Sequence, residues 1–189
     1  MESLGPGAYM ALKVLTISLL IALNLTFGAE NNISNDQKVA KLLSSLRIML
    51  DKGKYEEVEE FYDKMEDALS GKSEAMEYLA LSYEKRLKYA NALKIYSDLL
   101  KKDYSTELEL ISKLKDNTFL PPEKQSEKLK YYLYKQVLLN ILIYQSTNTF
   151  TSPEEITQRK KALRNSVIQA GKAKVEKNDL QNLVEKLDE

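Results

Sequence analysis

The stretch Met76–Tyr104, MEYLALSYEKRLKYANALKIYSDLLKKDY, decides how this chain folds. Its packing residues fall at Met76, Leu79, Ala80 and Tyr83, and then at Tyr89, Ala92 and Tyr96. That spacing predicts a helical hairpin. The small residues Ala80 and Ala92 let two antiparallel helices approach closely, and the larger residues fill the gaps beside them. Thirty-four positions earlier, Leu42, Ser45, Leu46, Met49, Tyr55, Val58 and Tyr62 occupy the same places. The phrase GKYEEVEEFY, from Gly53 to Tyr62, then opens the second helix of this earlier copy.

The spacing and the 34-residue period resemble the tetratricopeptide repeat (TPR) family, whose pattern is W-x2-L-G-x2-Y followed by A-x3-F. Two repeats over about residues 37–104 carry the resemblance. Met76 stands where the family has tryptophan, Ala80 and Leu46 where it has glycine, and Ser70 and Tyr104 where it has the closing proline. The resemblance implies an all-α fold of antiparallel hairpins stacked as a short TPR-like solenoid. It also implies recognition of a protein or peptide by the first helices of each pair. The corresponding partner-binding residues are Leu43, Arg47 and Leu50 from one helix, and Glu77, Leu81 and Glu84 from the next. One subfamily grips a C-terminal carboxylate with lysine and asparagine. The comparable sites here read Leu43, Ser44 and Arg47, then Glu77, Tyr78 and Leu81, so that clamp is absent.

Composition agrees with a helical chain. Among 189 residues glycine and proline are scarce, while leucine, lysine, glutamate and tyrosine are plentiful. Basic and acidic residues balance at 28 each, so no global charge favours nucleic acid or an anionic surface. Cysteine, histidine and tryptophan are absent. No disulfide framework, thiol nucleophile or imidazole metal site can therefore be built, and no metal or other cofactor is expected.

The N-terminal residues differ from the rest. Lys13 precedes an apolar run from Val14 to Leu25, and the small residues Gly28 and Ala29 precede the polar ENNISND. This is the layout of a signal peptide over residues 1–29, with a start at Met10 compatible with it. The alternative is an uncleaved anchor, if the span is stretched from Ala8 to Phe27. Residues 30–36 read as a flexible lead-in, with Asn35 or Asp36 capping the first helix. The sequence then predicts helices to about Leu50, from Tyr55 to Leu69, from a Ser73 cap, and from Tyr89 to Lys102. Gly53 is expected to turn the chain in the left-handed conformation. Gly71-Lys72-Ser73 lacks the earlier glycine and the strand of a phosphate loop, and reads as a turn.

Beyond Asp103 the strict repeat lapses, and residues 105–189 read as a divergent helical extension packing on the repeats. Ser105 is expected to cap a short helix, which Pro121-Pro122 separates from a long one over Glu123–Gln145. The apolar VLLNILIY half of that helix requires cover on more than one side. Ser152-Pro153-Glu154-Glu155 is a strong helix start, with Gly171 near the end of its helix. Residues 180–187 predict a last short helix that caps the stack.

Two sets of side chains invite other readings. Tyr131, Tyr132 and Tyr134 cannot all face one way, so at least one should be exposed, near Lys128, Lys130 and Lys135. Base stacking there would need a basic surface that the charge balance does not supply, so no nucleic acid partner is expected. Glu56, Glu57, Glu59 and Glu60 could supply paired carboxylates, but they read as the solvated face of an amphipathic helix. The sequence therefore points to a non-enzymatic, exported interaction module, an adaptor or assembly factor for a bacterial cell-envelope complex. Its partner would be another envelope protein or a peptide segment, with no small-molecule substrate, in the periplasm or secreted. A structural subunit that self-associates, or that stays anchored in the inner membrane facing the periplasm, is the second reading. An envelope glycan-acting enzyme is the third.

Overall fold

The computed structural model describes residues 34–146 and 151–176. The expected signal or anchor segment and the final capping helix lie outside the described residues. The chain divides into two compact units, Met1–Lys41 and Leu42–Glu189. Of the first unit only residues 34–41 are described, and they form the opening of helix α1, Asn35–Asp51. A capping box starts it. The Gln37 amide donates to the Ser34 hydroxyl, and the Ser34 amide to the Gln37 side chain, both at 3.3 Å. The cap is thus Ser34 rather than Asn35 or Asp36, and the helix begins inside the expected lead-in.

The second unit continues through α2 (Tyr55–Lys64), α3 (Glu66–Leu69), α4 (Ser73–Lys85), α5 (Tyr89–Asp103) and α6 (Ser105–Lys113). A 3-10 turn at Pro122–Lys124 leads to α7 (Glu127–Gln145) and α8 (Pro153–Lys172). The described residues are helical with no strand, so the fold is all-α. Helix α4 packs on α2 and α5, α5 on α7, and α7 on α8, a serial order compatible with stacked hairpins. The short α6 lies against α5 and α8.

Of the positions that define the hairpins, those of closest helix approach are buried, while Met76, Tyr83, Tyr89 and their counterparts Tyr55 and Met49 are half-buried. Ala80 and Ala92 are wholly buried, as are Leu46 and Val58 at the same places one period earlier. Tyr96, Leu99, Leu129, Leu133, Val137 and Leu139 join Ala80 and Ala92 in one continuous core. Each fully buried leucine contributes roughly 1.5–3 kcal/mol relative to an exposed one. Helix α7, whose second half is apolar almost all round, packs on both α5 and α8.

The hairpin turns repeat as faithfully as the core. After α1, Gly53 takes φ +71°, its amide donates to Leu50 O at 2.9 Å, and that of Lys54 to Met49 O at 2.9 Å. After α4, Leu87 takes φ +60°, its amide donates to Glu84 O at 3.1 Å, and that of Lys88 to Tyr83 O at 2.8 Å. Both are Schellman closures, which satisfy the last helical carbonyls. Leu87 stands thirty-four positions after Gly53.

Several boundaries differ from those expected. Met65 breaks the second helix, leaving α2 and α3 as separate pieces. Ser73 and Ser105 are first helical residues, not caps. The Ser73 hydroxyl is instead taken by Lys102 Nζ at 2.9 Å, which also donates to Gly71 O. Helix α7 begins at Glu127, not Glu123, because the Ser126 hydroxyl accepts the Leu129 amide at 3.1 Å while Glu123 lies in the 3-10 turn. Ser152 caps α8 as expected, accepting the Glu155 amide at 3.2 Å. Gly171 lies within α8, which ends one residue later at Lys172.

The segment between α6 and α7 is fastened to the end of α8. The Leu120 amide donates to Lys172 O at 2.8 Å, and Lys172 Nζ donates back to Leu114 O at 2.7 Å. Leu120 itself is buried in the main core. These bonds fix the chain between α6 and α7 without a further helical hairpin.

Candidate functional site

The six expected partner-binding residues lie on α1 and α4, and the structure divides them into two groups. Glu77 and Glu84 project from α4 towards α7. Glu77 accepts the Tyr132 hydroxyl and pairs with Lys128 Nζ at 2.6 Å. One α-helical heptad later, Glu84 pairs with Lys135 Nζ at 2.7 Å. Since Lys128 and Lys135 are also seven residues apart, the two helices run parallel. They are not among the closely packed helix pairs, so long side chains bridge them. Both carboxylates are thereby committed within the chain rather than held free for a partner. The Glu84–Lys135 pair is the more enclosed, each side chain only 14% exposed.

Tyrosines floor this ladder. Tyr96 of α5 and Tyr131 of α7 meet edge to face, with ring centroids 6.2 Å apart, and Lys135 Nζ stands 5.9 and 5.5 Å from their centroids. Tyr132 packs against Tyr96, Tyr104 and Tyr131. Burial foremost, with the Tyr131 hydroxyl and Glu84 adding to it, holds the Tyr96 hydroxyl far above the usual tyrosine range. Burial and then Glu77 do the same to Tyr132. Lys128 is pushed up as well, first by its hydrogen bond to Glu77. Of the three adjacent tyrosines, Tyr132 is buried and Tyr131 is 37% exposed, as helical geometry demands. Tyr131 and Tyr134 line a shallow cleft of about 210 Å³ with Val175. The lysines beside them are each spent on a carboxylate: Lys128 on Glu77, Lys130 on Glu127, Lys135 on Glu84.

The other group faces α1. Arg47 is 70% exposed and only loosely paired with Asp51, at 3.9 Å. It lies close enough to Tyr78 for its charge to favour the ionised phenol. Burial and a 2.6 Å hydrogen bond to Glu74 outweigh it, and the Tyr78 hydroxyl is pushed up to about 12. Leu43, Leu50 and Leu81 are half-buried. This side therefore presents leucine edges, a tyrosine and a largely exposed arginine.

One carboxylate overturns an expectation. Glu59 does not belong to a solvated face: it is buried, and pairs with Arg86 Nη1 at 3.0 Å and Lys88 Nζ at 2.6 Å. Glu56 adds a second contact to Arg86 at 3.2 Å. These bonds tie α2 to the turn between α4 and α5. Arg86 and Lys88 carry the signal for it: two bases flanking a hairpin turn, one helical pair further along the chain than the glutamate they meet.

Among the described residues, no group of carboxylates is arranged to hold a metal ion, and no helix is long and apolar enough to cross a membrane. No family model, curated protein or solved structure matches the chain.

Proposed function

We propose that the chain is a non-enzymatic interaction module of the TPR kind, exported to the cell envelope, where it serves as an adaptor or assembly factor. The observation that carries this reading is the recurrence, at a 34-residue interval, of one hairpin turn with the same hydrogen bonds at Gly53 and Leu87. The buried pairs Leu46 with Ala80, and Val58 with Ala92, repeat at that interval too. A chain that builds the same hairpin twice offers neighbouring first helices as a surface for a partner segment.

Because Glu77 and Glu84 are spent on α7, the partner belongs on the α1 side of α4, against Leu43, Arg47, Leu50 and Leu81. Export rests on the layout of residues 10–29 alone. Glu59, Glu84, Glu107 and Glu77, the least exposed of the ion-paired carboxylates, are each paired with lysine or arginine, which favours a structural use over acid–base chemistry.

Capture from an envelope extract tests the reading when run with the parent chain and with Arg47→Glu and Leu81→Ala variants of matched melting temperature. A retained protein whose binding falls about tenfold or more in the variants, a loss of about 1.4 kcal/mol, supports it. Retention unchanged in both variants, or no specific retention by the parent, sinks it.

A further inference from the structure

Leu87 combines two features that do not usually meet. It takes a left-handed backbone conformation, at φ +60°, in which a Cβ is crowded and which glycine occupies at the equivalent Gly53. Its side chain is also 70% exposed, the most of any large apolar residue described. The other non-glycine residues with positive φ among the described residues, Asn117 and Lys174, are both polar. The Schellman closure of the turn requires this backbone, and Lys174 adopts it in the same closure after α8. What is particular to Leu87 is that the residue placed there is apolar and left in water.

The surroundings are basic. Lys85, Arg86 and Lys88 flank the leucine. The Glu56 and Glu59 contacts to Arg86 bring the start of α2 beside this turn, and with it Lys52 and Lys54, which lead into that helix. Arg86, Lys88 and Lys54 share the three glutamates Glu56, Glu57 and Glu59. Lys52 and Lys85 are exposed and have no acid partner among the described residues. The tip is therefore a projecting apolar side chain within a net positive rim.

We propose that the adjacent turns at Lys52–Lys54 and Arg86–Lys88 form a contact point for an anionic lipid surface, with Leu87 entering the acyl boundary and Lys52 and Lys85 meeting headgroup phosphates. A convex tip favours this occupant over a peptide. A bilayer yields around a single leucine and needs no preformed socket, while free lysines draw it to negative headgroups. This contact is independent of the α1–α4 face and survives whether or not that face binds a protein.

The absence of cysteine makes a local test clean. Leu87→Cys in the full chain, labelled with the environment-sensitive NBD fluorophore, should brighten severalfold and shift to the blue with phosphatidylglycerol vesicles, but not with phosphatidylcholine vesicles. The same label at Phe119→Cys, an exposed apolar position on another segment, should stay unchanged even if the N-terminal segment holds the chain to the vesicle. Adding Lys52→Glu and Lys85→Glu should abolish the response at position 87. The proposal is overturned by a silent label at 87, by an equal response at 119, or by a response that ignores lipid charge or survives the lysine reversals. A response to polyglutamate without one to vesicles would also overturn it, assigning the tip to an acidic protein.

Discussion

The two sides of α4 are built on opposite plans. Towards α7 it sends Glu77 and Glu84 into a ladder closed by Lys128, Tyr132 and Lys135 over buried tyrosine rings. Towards α1 it shows half-buried leucine, Tyr78, and a facing Arg47 that is mostly in water. Among the described residues, a helix with the regular pattern of a repeat is thus bridged by charge on one side and lined by leucine and tyrosine on the other. Composition does not separate the two sides, since both carry leucine, tyrosine and charge. What separates them is whether the opposite helix supplies a partner at the same level. That difference makes the ladder a bridge that fixes α4 against α7, and it is why the proposed partner is placed on the α1 side.

The largest effect should come from alkaline unfolding, in which the α7 side carries two raised tyrosines and a raised lysine and the α1 side only Tyr78, pushed up to about 12. Tyr96 and Tyr132 on the α7 side have folded pKa values raised above the ordinary tyrosine value of about 10, and Lys128 is raised as well. In each case the folded state holds its proton more tightly than the unfolded state. Their contribution is fully present below the unfolded pKa and is lost as pH rises through the folded values. Stability should therefore fall as pH climbs beyond about 10, while lower pH leaves these contributions intact. Tyrosinate absorbance at 295 nm should appear in two stages, the second coinciding with loss of helical circular dichroism. A single smooth stage with intact helix would mean that the ladder's tyrosines are reached by solvent without unfolding.

Breaking one rung comes next. Lys135→Met leaves Glu84 as an enclosed, unpaired carboxylate, and should cost about 3 kcal/mol. Glu84→Met with Lys135→Met removes both charges and should recover much of the loss, since desolvation is then no longer borne by either group. Arg47→Met on the α1 side should change stability by no more than about 0.5 kcal/mol, because its pair with Asp51 is exposed and long. Urea titrations of the variants check all three. An equal cost for Arg47 and Lys135 would erase the distinction between the α7 and α1 sides.

The hairpin that carries both sides should be less tolerant of volume than of charge at its surface. Ala80 and Ala92 have no exposed surface, and Ala80→Leu or Ala92→Leu should destabilise by roughly 1–3 kcal/mol. Thermal melts indistinguishable from the parent would remove the close helix approach on which both faces depend.

These contrasts also show what was legible in the residues. Ala80 and Ala92 announce a close contact, Pro121-Pro122 announces a break, and Ser152-Pro153 announces a helix start, because each signal is local. The rungs of the ladder are not local: Lys128 lies fifty-one positions after Glu77, and Lys135 the same distance after Glu84. A glutamate on the exposed-looking stripe of a helix reads as solvated until a remote lysine is brought to it. Glu59 was hidden for the same reason, since Arg86 and Lys88 reach it only after α4 packs on α2. Of the candidate residues, position on the first helices was readable from the period. Which of them the chain uses itself was not. The capping errors have another cause. Serine can begin a helix from inside or cap it from outside, and the choice at Ser73 turns on Lys102, again a distant residue.

The smallest effect concerns the two turns, where the same backbone conformation is built from unequal residues. Gly53 enters the left-handed region freely, whereas Leu87 must hold its Cβ against the preceding carbonyl, a cost of roughly 1–2 kcal/mol for an L-residue. Leu87→Gly removes that strain but gives the unfolded chain more conformations to lose, a counterweight of about 0.5–1 kcal/mol. Because the leucine is exposed, little packing disappears with it. The net result should be a stabilisation of about 0.5–1 kcal/mol, near the lower edge of what a denaturation curve resolves. Gly53→Leu imposes the same strain on the first turn and should destabilise by about 1–2 kcal/mol. Opposite signs at positions thirty-four apart would show that the turns are one structure with two occupants. If Leu87→Gly lowered stability instead, the leucine would be packing in solution against something within the fold, and its exposed place at the tip would no longer stand.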